Sequence, residues 1–459
     1  MLVDKIMNSQ SVKIREKWGS KLAFILAGTG AAIGLGNIWR FPMMVGKNGG
    51  AVFVFVYMLS VIVIGFTVML AELILGRHSQ KNPVGAFAFI KPRTPWKLIG
   101  YLGVVTNVCI LSYYTVVTSW VAGYLNKAVS GIFRGVVETQ MTDTLFTQFS
   151  ADPKQVFLFL FLVIAITTFI VSSGIKRGIE KWTRILMPIL LILIILLVIR
   201  AVSLPGAEKG ISFYLKPDFT KLNSTIILFA LGQAFFSLTL GMGTMITYGS
   251  YLSKSDNLVS SAGWVCFADT FVAILAGLII FPTLFAVPGI APSAGHGLIF
   301  KVFPLIFSRI PGGHLFGILF FALLLVAALT SVIASLEVAV AYFVDERCWS
   351  RRKAAIVTGS VCFCLAVPSA LSKGGLKIFT AIDYMGFLDF LFGNISLAVG
   401  ALGLCVFIGF VWGAHKAAQE VLSGNLRFWL KPFWIVSIKF LSPLAIILIL
   451  IFIKTIWSG

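Results

Sequence analysis

The stretch that most constrains the fold runs from Leu22 to Pro42 and reads LAFILAGTGAAIGLGNIWRFP. It begins as an apolar helix, then places Gly28, Gly30, Gly34 and Gly36 in its middle, with Asn37 and Arg40 just beyond. Glycine in a helix interior costs about 1 kcal/mol relative to alanine. Four glycines, an amide and a cation at membrane depth describe a helix built to break. The competing reading is that small residues only allow close packing, as at small-xxx-small interfaces. The rest of the chain decides between them.

Membrane depth follows from composition. The 459 residues are 58% hydrophobic and 12% charged, with mean hydropathy +0.97. Soluble domains carry about 25% charged residues, so the chain reads as a polytopic membrane protein. A span requires about 20 apolar residues, because about 30 Å of hydrocarbon is crossed at about 1.5 Å per residue. About eleven such stretches lie near residues 22–45, 51–76, 97–129, 155–173, 178–202, 221–252, 258–287, 314–344, 352–370, 375–412 and 433–456. The N-terminal segment is polar up to Lys21 and no cleavage site follows, so no removable signal peptide is expected.

The net charge of +20 invites a nucleic-acid reading, but its distribution argues against one. Basic residues gather in alternate connections: Lys13, Arg15, Lys17 and Lys21; Arg77, Lys81, Lys91, Arg93 and Lys97; Lys176, Arg177, Lys181 and Arg184; Arg351, Arg352 and Lys353. The other connections, such as 130–154 and 287–313, are poorer in Lys and Arg and include Glu138, Asp143 and Asp152. That asymmetry is the positive-inside bias. It puts the N-terminus in the cytoplasm and, with an odd number of spans, the C-terminus outside. Cys109, Cys266, Cys348, Cys362, Cys364 and Cys405 show neither disulfide nor zinc spacing and read as small apolar packers.

Ionisable residues inside spans are functional candidates by default. Here they are Arg40, Glu72, Asp269, Glu337, Asp345 and Asp389. Asp345 lies beside Glu346 and Arg347 at a span end, where solvation is an adequate explanation, whereas Asp269 and Asp389 have apolar neighbours. A second interrupted span, AFFSLTLGMGTMITYGSY from Ala234 to Tyr251, carries Gly241, Met242 and Gly243 flanked by Ser237, Thr239 and Thr244. By order it is span 6, the counterpart of span 1 if spans 1–5 and 6–10 are two repeats. Glycine-interrupted spans at corresponding places in two halves mark a transporter's binding site. Five spans per repeat is an odd number, so the second repeat is inverted. The packing reading predicts no such partner.

The expected architecture is therefore all-α and polytopic, a 5+5 inverted-repeat transporter fold with unwound helices 1 and 6 plus one extra helix. Its parts are a cytoplasmic segment 1–21, a first repeat 22–202, an extracellular loop 203–220, a second repeat 221–412, and a cytoplasmic loop with the last helix at 413–459. Span 8 adds Ala327-Ala328-Leu329-Thr330-Ser331. Such hydroxyls often bond a carbonyl one turn back, yet beside exposed carbonyls they also suit a hard cation.

These residues resemble the neurotransmitter:sodium symporters, in particular the bacterial amino-acid branch with eleven transmembrane helices. The resemblance covers nearly the whole chain. It rests on Gly34-Leu35-Gly36-Asn37-Ile38-Trp39-Arg40-Phe41-Pro42, Asn48-Gly49-Gly50, Ser112-Tyr113-Tyr114 with Trp120, Gly232-Gln233-Ala234-Phe235-Phe236-Ser237-Leu238, and Thr330-Ser331. The family's usual twelfth span is missing.

The resemblance implies one sodium held by the Ala32 carbonyl, Asn37, Ser237, Asp269 and the substrate carboxylate. It implies a second held by carbonyls of Gly30, Ile33 and Ala327 with the hydroxyls of Thr330 and Ser331. The substrate carboxylate would meet N–H groups around Leu35 and Gly36 and the Tyr114 hydroxyl, and its ammonium the carbonyls of Ala31, Phe236 and Thr239. Monoamine-carrying relatives have aspartate at Gly34, so an α-amino acid is favoured here. Ile110, Tyr114, Phe236, Met242, Val332 and Ser335 would line a mostly apolar side-chain pocket, suited to hydrophobic or aromatic amino acids.

Animal relatives have asparagine at Asp269 and bind chloride using residues matching Tyr57, Gln233 and Ser237. A chloride-independent bacterial relative has glutamate at Ala273. Asp269 then supplies the compensating charge, and transport without chloride is expected. By the same resemblance Arg40 and Asp389, with Gln233 nearby, form the outer gate, and Tyr114 with Phe236 the lid beneath it. Arg15 with Asp345, packed by Trp18 and Tyr251, forms the inner gate, joined by Glu337 where the family commonly has glutamine. Gly178 and Pro188 match a motif linked to unwinding of helix 5.

The function expected is sodium-coupled uptake of hydrophobic or aromatic L-amino acids across a bacterial inner membrane. Two sodium ions, no chloride, no nucleic acid and no obligatory protein partner are expected. A sodium-independent exchanger would lack the Asn37, Asp269, Thr330 and Ser331 oxygens, and a substrate-sensing receptor on the same scaffold would bind without moving its ligand. No His, Cys or Ser has a visible base partner for an enzyme; His78, His296, His314 and His415 read as loop residues.

Overall fold

The computed structural model describes residues 15–136, 138–287, 298–372, 383–423 and 428–453. His296 and the expected start of span 10 lie outside them. The first interrupted span is α1 (Lys21–Ala32) and α2 (Gly36–Lys47), bent by 53° at the break. Ser20 caps α1 by accepting from the Ala23 N–H at 3.1 Å, a side-chain cap of the usual serine type. Next come α3 (Ala51–Ser79), α4 (Lys97–Val129), α5 (Pro153–Ser172) and α6 (Ile175–Val202). The second interrupted span is α7 (Ser224–Ser237) and α8 (Thr244–Gly249). Then follow α9 (Leu258–Phe285), α10 (Gly313–Glu346), α11 (Arg351–Leu371), α12 (Tyr384–Leu422) and α13 (Lys431–Ile451). Among the described residues nine of these helices are long and apolar enough to cross a membrane, ten with the α1–α2 pair, and α7 is a shorter apolar helix. The helix of α12 continues to Leu422, beyond the expected boundary at 412, after a left-handed Gly413 with φ 95°.

Lipid exposure explains the surface. On α6, Ile185, Ile189, Ile192, Leu196 and Ile199 are each at least 40% exposed and recur at three- and four-residue steps, one apolar stripe facing outward. Inside, close approach depends on glycine. A Cβ on Gly76 of α3 would sit 2.1 Å from the Ile246 carbonyl of α8. A Cβ on Gly241 would sit 2.3 Å from the Leu397 carbonyl of α12, at φ 85°. The second break is thus wedged between α3 and α12.

Candidate functional site

The first break is held open by diverted hydrogen bonds. In a continuous helix the Gly34 and Leu35 N–H groups would serve the carbonyls four residues back. Instead Gly34 donates to Asn37 Oδ1 at 3.1 Å and Leu35 donates to the Tyr114 hydroxyl at 3.0 Å. Ile33, the last residue before the break, is extended at φ −71° and ψ 113°. The carbonyls of Gly30 and Ala31 are released by this arrangement.

The Ser331 hydroxyl of α10 lies among those carbonyls. It is 3.0 Å from Ile33 O, 3.4 Å from Ala31 O, 3.5 Å from Gly30 O and 3.4 Å from Ala327 O. Thr330 adds a hydroxyl 2.9 Å from Ala327 O. One hydroxyl hydrogen cannot satisfy four acceptors. The sequence-predicted oxygens Gly30, Ile33, Ala327, Thr330 and Ser331 thus gather in one place, with Ala31 in addition. Met187, next to Pro188 on α6, packs against Gly30, where a Cβ would meet its Sδ at 3.1 Å. Gly178 is fixed by contact: a Cβ there would lie 2.0 Å from Ile170 O.

A second cluster joins α2, α3, α7 and α9. Asn37 Nδ2 donates to Asp269 Oδ1 at 2.7 Å, to Asp269 O at 3.2 Å and to Ser237 Oγ at 3.0 Å. Ser237 and Tyr57 donate to Asp269 Oδ2 at 2.8 and 3.3 Å. Asn37, Tyr57, Ser237 and Asp269 are all at most 2% exposed. A buried carboxylate is retained only when hydrogen-bonded or paired, and three donors meet this one. A cation among these oxygens would require the Asn37 amide to turn its oxygen toward Asp269.

The second break is built differently. Thr239, Gly241 and Gly243 have φ of 52°, 85° and 78°. Glu72 of α3 accepts from the Gly241 N–H at 2.7 Å and from the Met245 N–H at 3.2 Å. Unsatisfied backbone groups at membrane depth cost several kcal/mol each, and Glu72 satisfies two. The sequence marked Glu72 only as an ionisable residue inside a span; its partners are backbone atoms, which no side-chain pattern signals. The Phe236 carbonyl, expected to meet an ammonium, accepts the Thr239 N–H at 3.2 Å.

The breaks also touch. Gln233 of α7 donates to Gly36 O at 3.2 Å, and a Cβ on Gly36 would meet the Phe236 ring at 3.1 Å. Gly34 admits no side chain: a Cβ there would fall 2.6 Å from the Tyr114 hydroxyl and 2.7 Å from Ser331 Oγ. Of the expected pocket residues, Ile110, Met242, Val332 and Ser335 are buried, and Tyr114 and Phe236 are partly buried.

At the Arg40 rim the expected gate residues Arg40 and Asp389 form no ion pair in this structure; each takes another partner. Asp389 Oδ1 accepts from the Tyr113 hydroxyl at 2.8 Å. Arg40 Nη2 donates to Asn394 Oδ1 at 3.3 Å, and its guanidinium lies 4.1 Å from the Phe236 ring centroid. The phenol supplies the donor to the carboxylate, and the guanidinium takes the aromatic face instead.

At the opposite rim Arg15 and Asp345 do pair, at 2.7 Å. Ser250 accepts from Arg15 Nε at 3.0 Å, and the Asn82 N–H donates to Asp345 at 2.8 Å. The guanidinium sits 4.7 Å from the Tyr251 ring centroid, and Trp18 stands edge-on to Tyr251 at 6.0 Å. Glu337 accepts from the Tyr251 hydroxyl at 2.5 Å and pairs with Arg351 at 2.5 Å. Sequence reasoning read Arg351 only as topological charge and missed Asn82 and Ser250. Truncating one partner of a buried pair costs about 3–5 kcal/mol, so Glu337→Gln is expected to lower the thermal midpoint of the purified protein by several degrees. An unchanged midpoint in a scanning measurement would show the pair to be idle.

A membrane bundle in which two interrupted helices meet, each beside buried oxygen clusters, defines an ion-coupled secondary transporter. The chain belongs to the sodium:neurotransmitter symporter family, whose sequence profile matches residues 15–135 and 139–458. It is 38% identical over 453 residues to an uncharacterized sodium-dependent transporter of Haemophilus influenzae, covering 96% of this chain and 98% of that one. It is 37% identical over 440 residues to one of Bacillus subtilis, covering 94% and 96%. Among solved structures, MhsT in complex with L-phenylalanine matches with TM-score 0.86 and 40% identity over 95% of this chain and 99% of the other. The chain is thus a sodium-dependent membrane transporter of a small molecule, in a family of transporters rather than enzymes.

Proposed function

We propose that this protein takes up hydrophobic or aromatic L-amino acids with two sodium ions and without chloride. The observation that carries the reading is the pair of oxygen clusters flanking the α1–α2 break. The neutral cluster around Ser331 suits one hard cation and the Asp269 cluster the other, because hard cations take oxygen ligands. Asp269 compensates the charge of both ions. The Leu35 N–H and Tyr114 hydroxyl, now bonded to each other, would open to receive the substrate carboxylate. Glycine at position 34 puts no fixed carboxylate where the substrate's own would bind, which supports an α-amino acid. The apolar lining of Ile110, Met242 and Val332 supports a hydrophobic side chain, in keeping with the L-phenylalanine held by the solved relative.

Transport proceeds by alternating access, with Arg15–Asp345 closing the cytoplasmic side and the Arg40 rim the outer side. The N-terminus is cytoplasmic and the C-terminus outside. Two cations moving down 100 mV release about 4.6 kcal/mol, and a tenfold sodium gradient adds about 1.4 kcal/mol per ion. The sum, about 7 kcal/mol, sustains about a 10⁵-fold gradient of a zwitterion.

The test is uptake of labelled amino acids into proteoliposomes. Phenylalanine, tryptophan or leucine should accumulate with an inward sodium gradient, equally in chloride and in gluconate. No sodium-dependent uptake of any amino acid would contradict the substrate class, and loss of uptake in gluconate the charge argument.

A further inference from the structure

One buried polar group near the side-chain pocket belongs to neither oxygen cluster and to neither rim. Asn107 of α4 is fully buried. Its Nδ2 donates to Thr244 Oγ1 at 3.2 Å, at the start of α8. Among the described residues its Oδ1 has no hydrogen-bond partner.

Packing register locates this amide. Val104 of α4 clusters with Val338 of α10, and the Tyr101 ring lies 5.9 Å from that of Tyr342. Farther along, Tyr114 and Ser331 meet over Gly34. The two helices therefore run antiparallel, and Asn107 and Ile110 face the part of α10 between Ser331 and Val338, which holds Val332 and Ser335. On its other side α4 abuts the second break, where a Cβ on Gly103 would meet Met242 C at 3.4 Å. Gly103, Asn107, Ile110 and Tyr114 recur at four-, three- and four-residue steps, on one helix face. Asn107 thus stands on the face that carries Ile110 and Tyr114, one turn deeper, between Thr244 and α10.

We propose that Asn107 is a specificity residue: its amide oxygen accepts a hydrogen bond from the distal donor of an aromatic substrate, the tyrosine hydroxyl or the indole N–H. The inference rests on the reading that the pocket takes hydrophobic and aromatic amino acids. A buried acceptor left unpaired is costly, and a ligand donor removes that cost, whereas a wholly apolar side chain of the same shape does not. Thr244 orients the amide by holding its other end.

The experiment measures displacement of tritiated phenylalanine from the purified full-length protein in sodium. Tyrosine should compete about ten-fold more strongly than para-fluorophenylalanine, which has nearly the same shape and no donor. In Asn107→Leu the ratio should fall toward one; the wild-type comparison stands even if that variant does not fold. Equal competition in the wild type, or an unchanged ratio in Asn107→Leu, overturns the assignment to Asn107 while leaving the substrate class intact. Failure of phenylalanine, tyrosine and tryptophan all to bind overturns the aromatic part of the substrate class, and this inference with it.

Discussion

Replacing Asp269 by asparagine is expected to make uptake depend on chloride. The Asp269 carboxylate accepts from Asn37, Ser237 and Tyr57 at 2.7, 2.8 and 3.3 Å and is fully buried. In the proposed cycle it is the fixed negative charge nearest both cations. Asparagine keeps the shape and one ligating oxygen but removes that charge. Breaking buried charge compensation costs about 3–5 kcal/mol, equivalent to a loss of about 10² to 10⁴-fold. Uptake by Asp269→Asn in gluconate should fall by that factor. About 100 mM chloride should restore much of it, because the Tyr57 and Ser237 hydroxyls then have an anion to bond. Full activity in gluconate would mean that Asp269 does not provide the compensation.

Ser331→Ala is the second large effect. Its hydroxyl stands within 3.5 Å of four carbonyls contributed by both sides of the α1 terminus and by α10. An interaction with a charged group is worth about 1.5–3 kcal/mol. The sodium concentration for half-maximal uptake should therefore rise about ten- to a hundredfold, while saturating sodium recovers most of the rate. Ser119→Ala is the control: that hydroxyl only bonds the Val116 carbonyl of its own helix at 2.6 Å, so sodium dependence should stay where it is. Equal sodium curves for Ser331→Ala and wild type would remove Ser331 from the ion site.

The parts of this molecule legible in sequence are those set by local chemistry. The Gly30–Gly36 and Gly241–Gly243 interruptions announce themselves because glycine at membrane depth has a local cost. The positions of Asp269 and Ser331 stood out because lipid penalises polar atoms. Of the rim partners, the Arg15–Asp345 pair was expected from the resemblance, but Ser250 beside Arg15 and Arg351 beside Glu337 were not, because they lie across helices whose mutual rotation no spacing rule gives. Asp389 was expected to take Arg40, but Tyr113 lies closer to it and Asn394 holds Arg40 instead. Glu72 escaped a definite role because it caps backbone N–H groups of a helix far along the chain. Asn107 went unnoticed because a single buried amide in a long helix has no pattern of its own.

The central claim is that the α1–α2 break hosts two sodium ions, one in each cluster. Equilibrium binding of radioactive sodium to the purified protein with phenylalanine present tests it most directly. The account predicts two saturable ions per chain in wild type, and one in Ser331→Ala at sodium concentrations that saturate the wild type. A single ion in wild type, or two ions undiminished in Ser331→Ala, would contradict it.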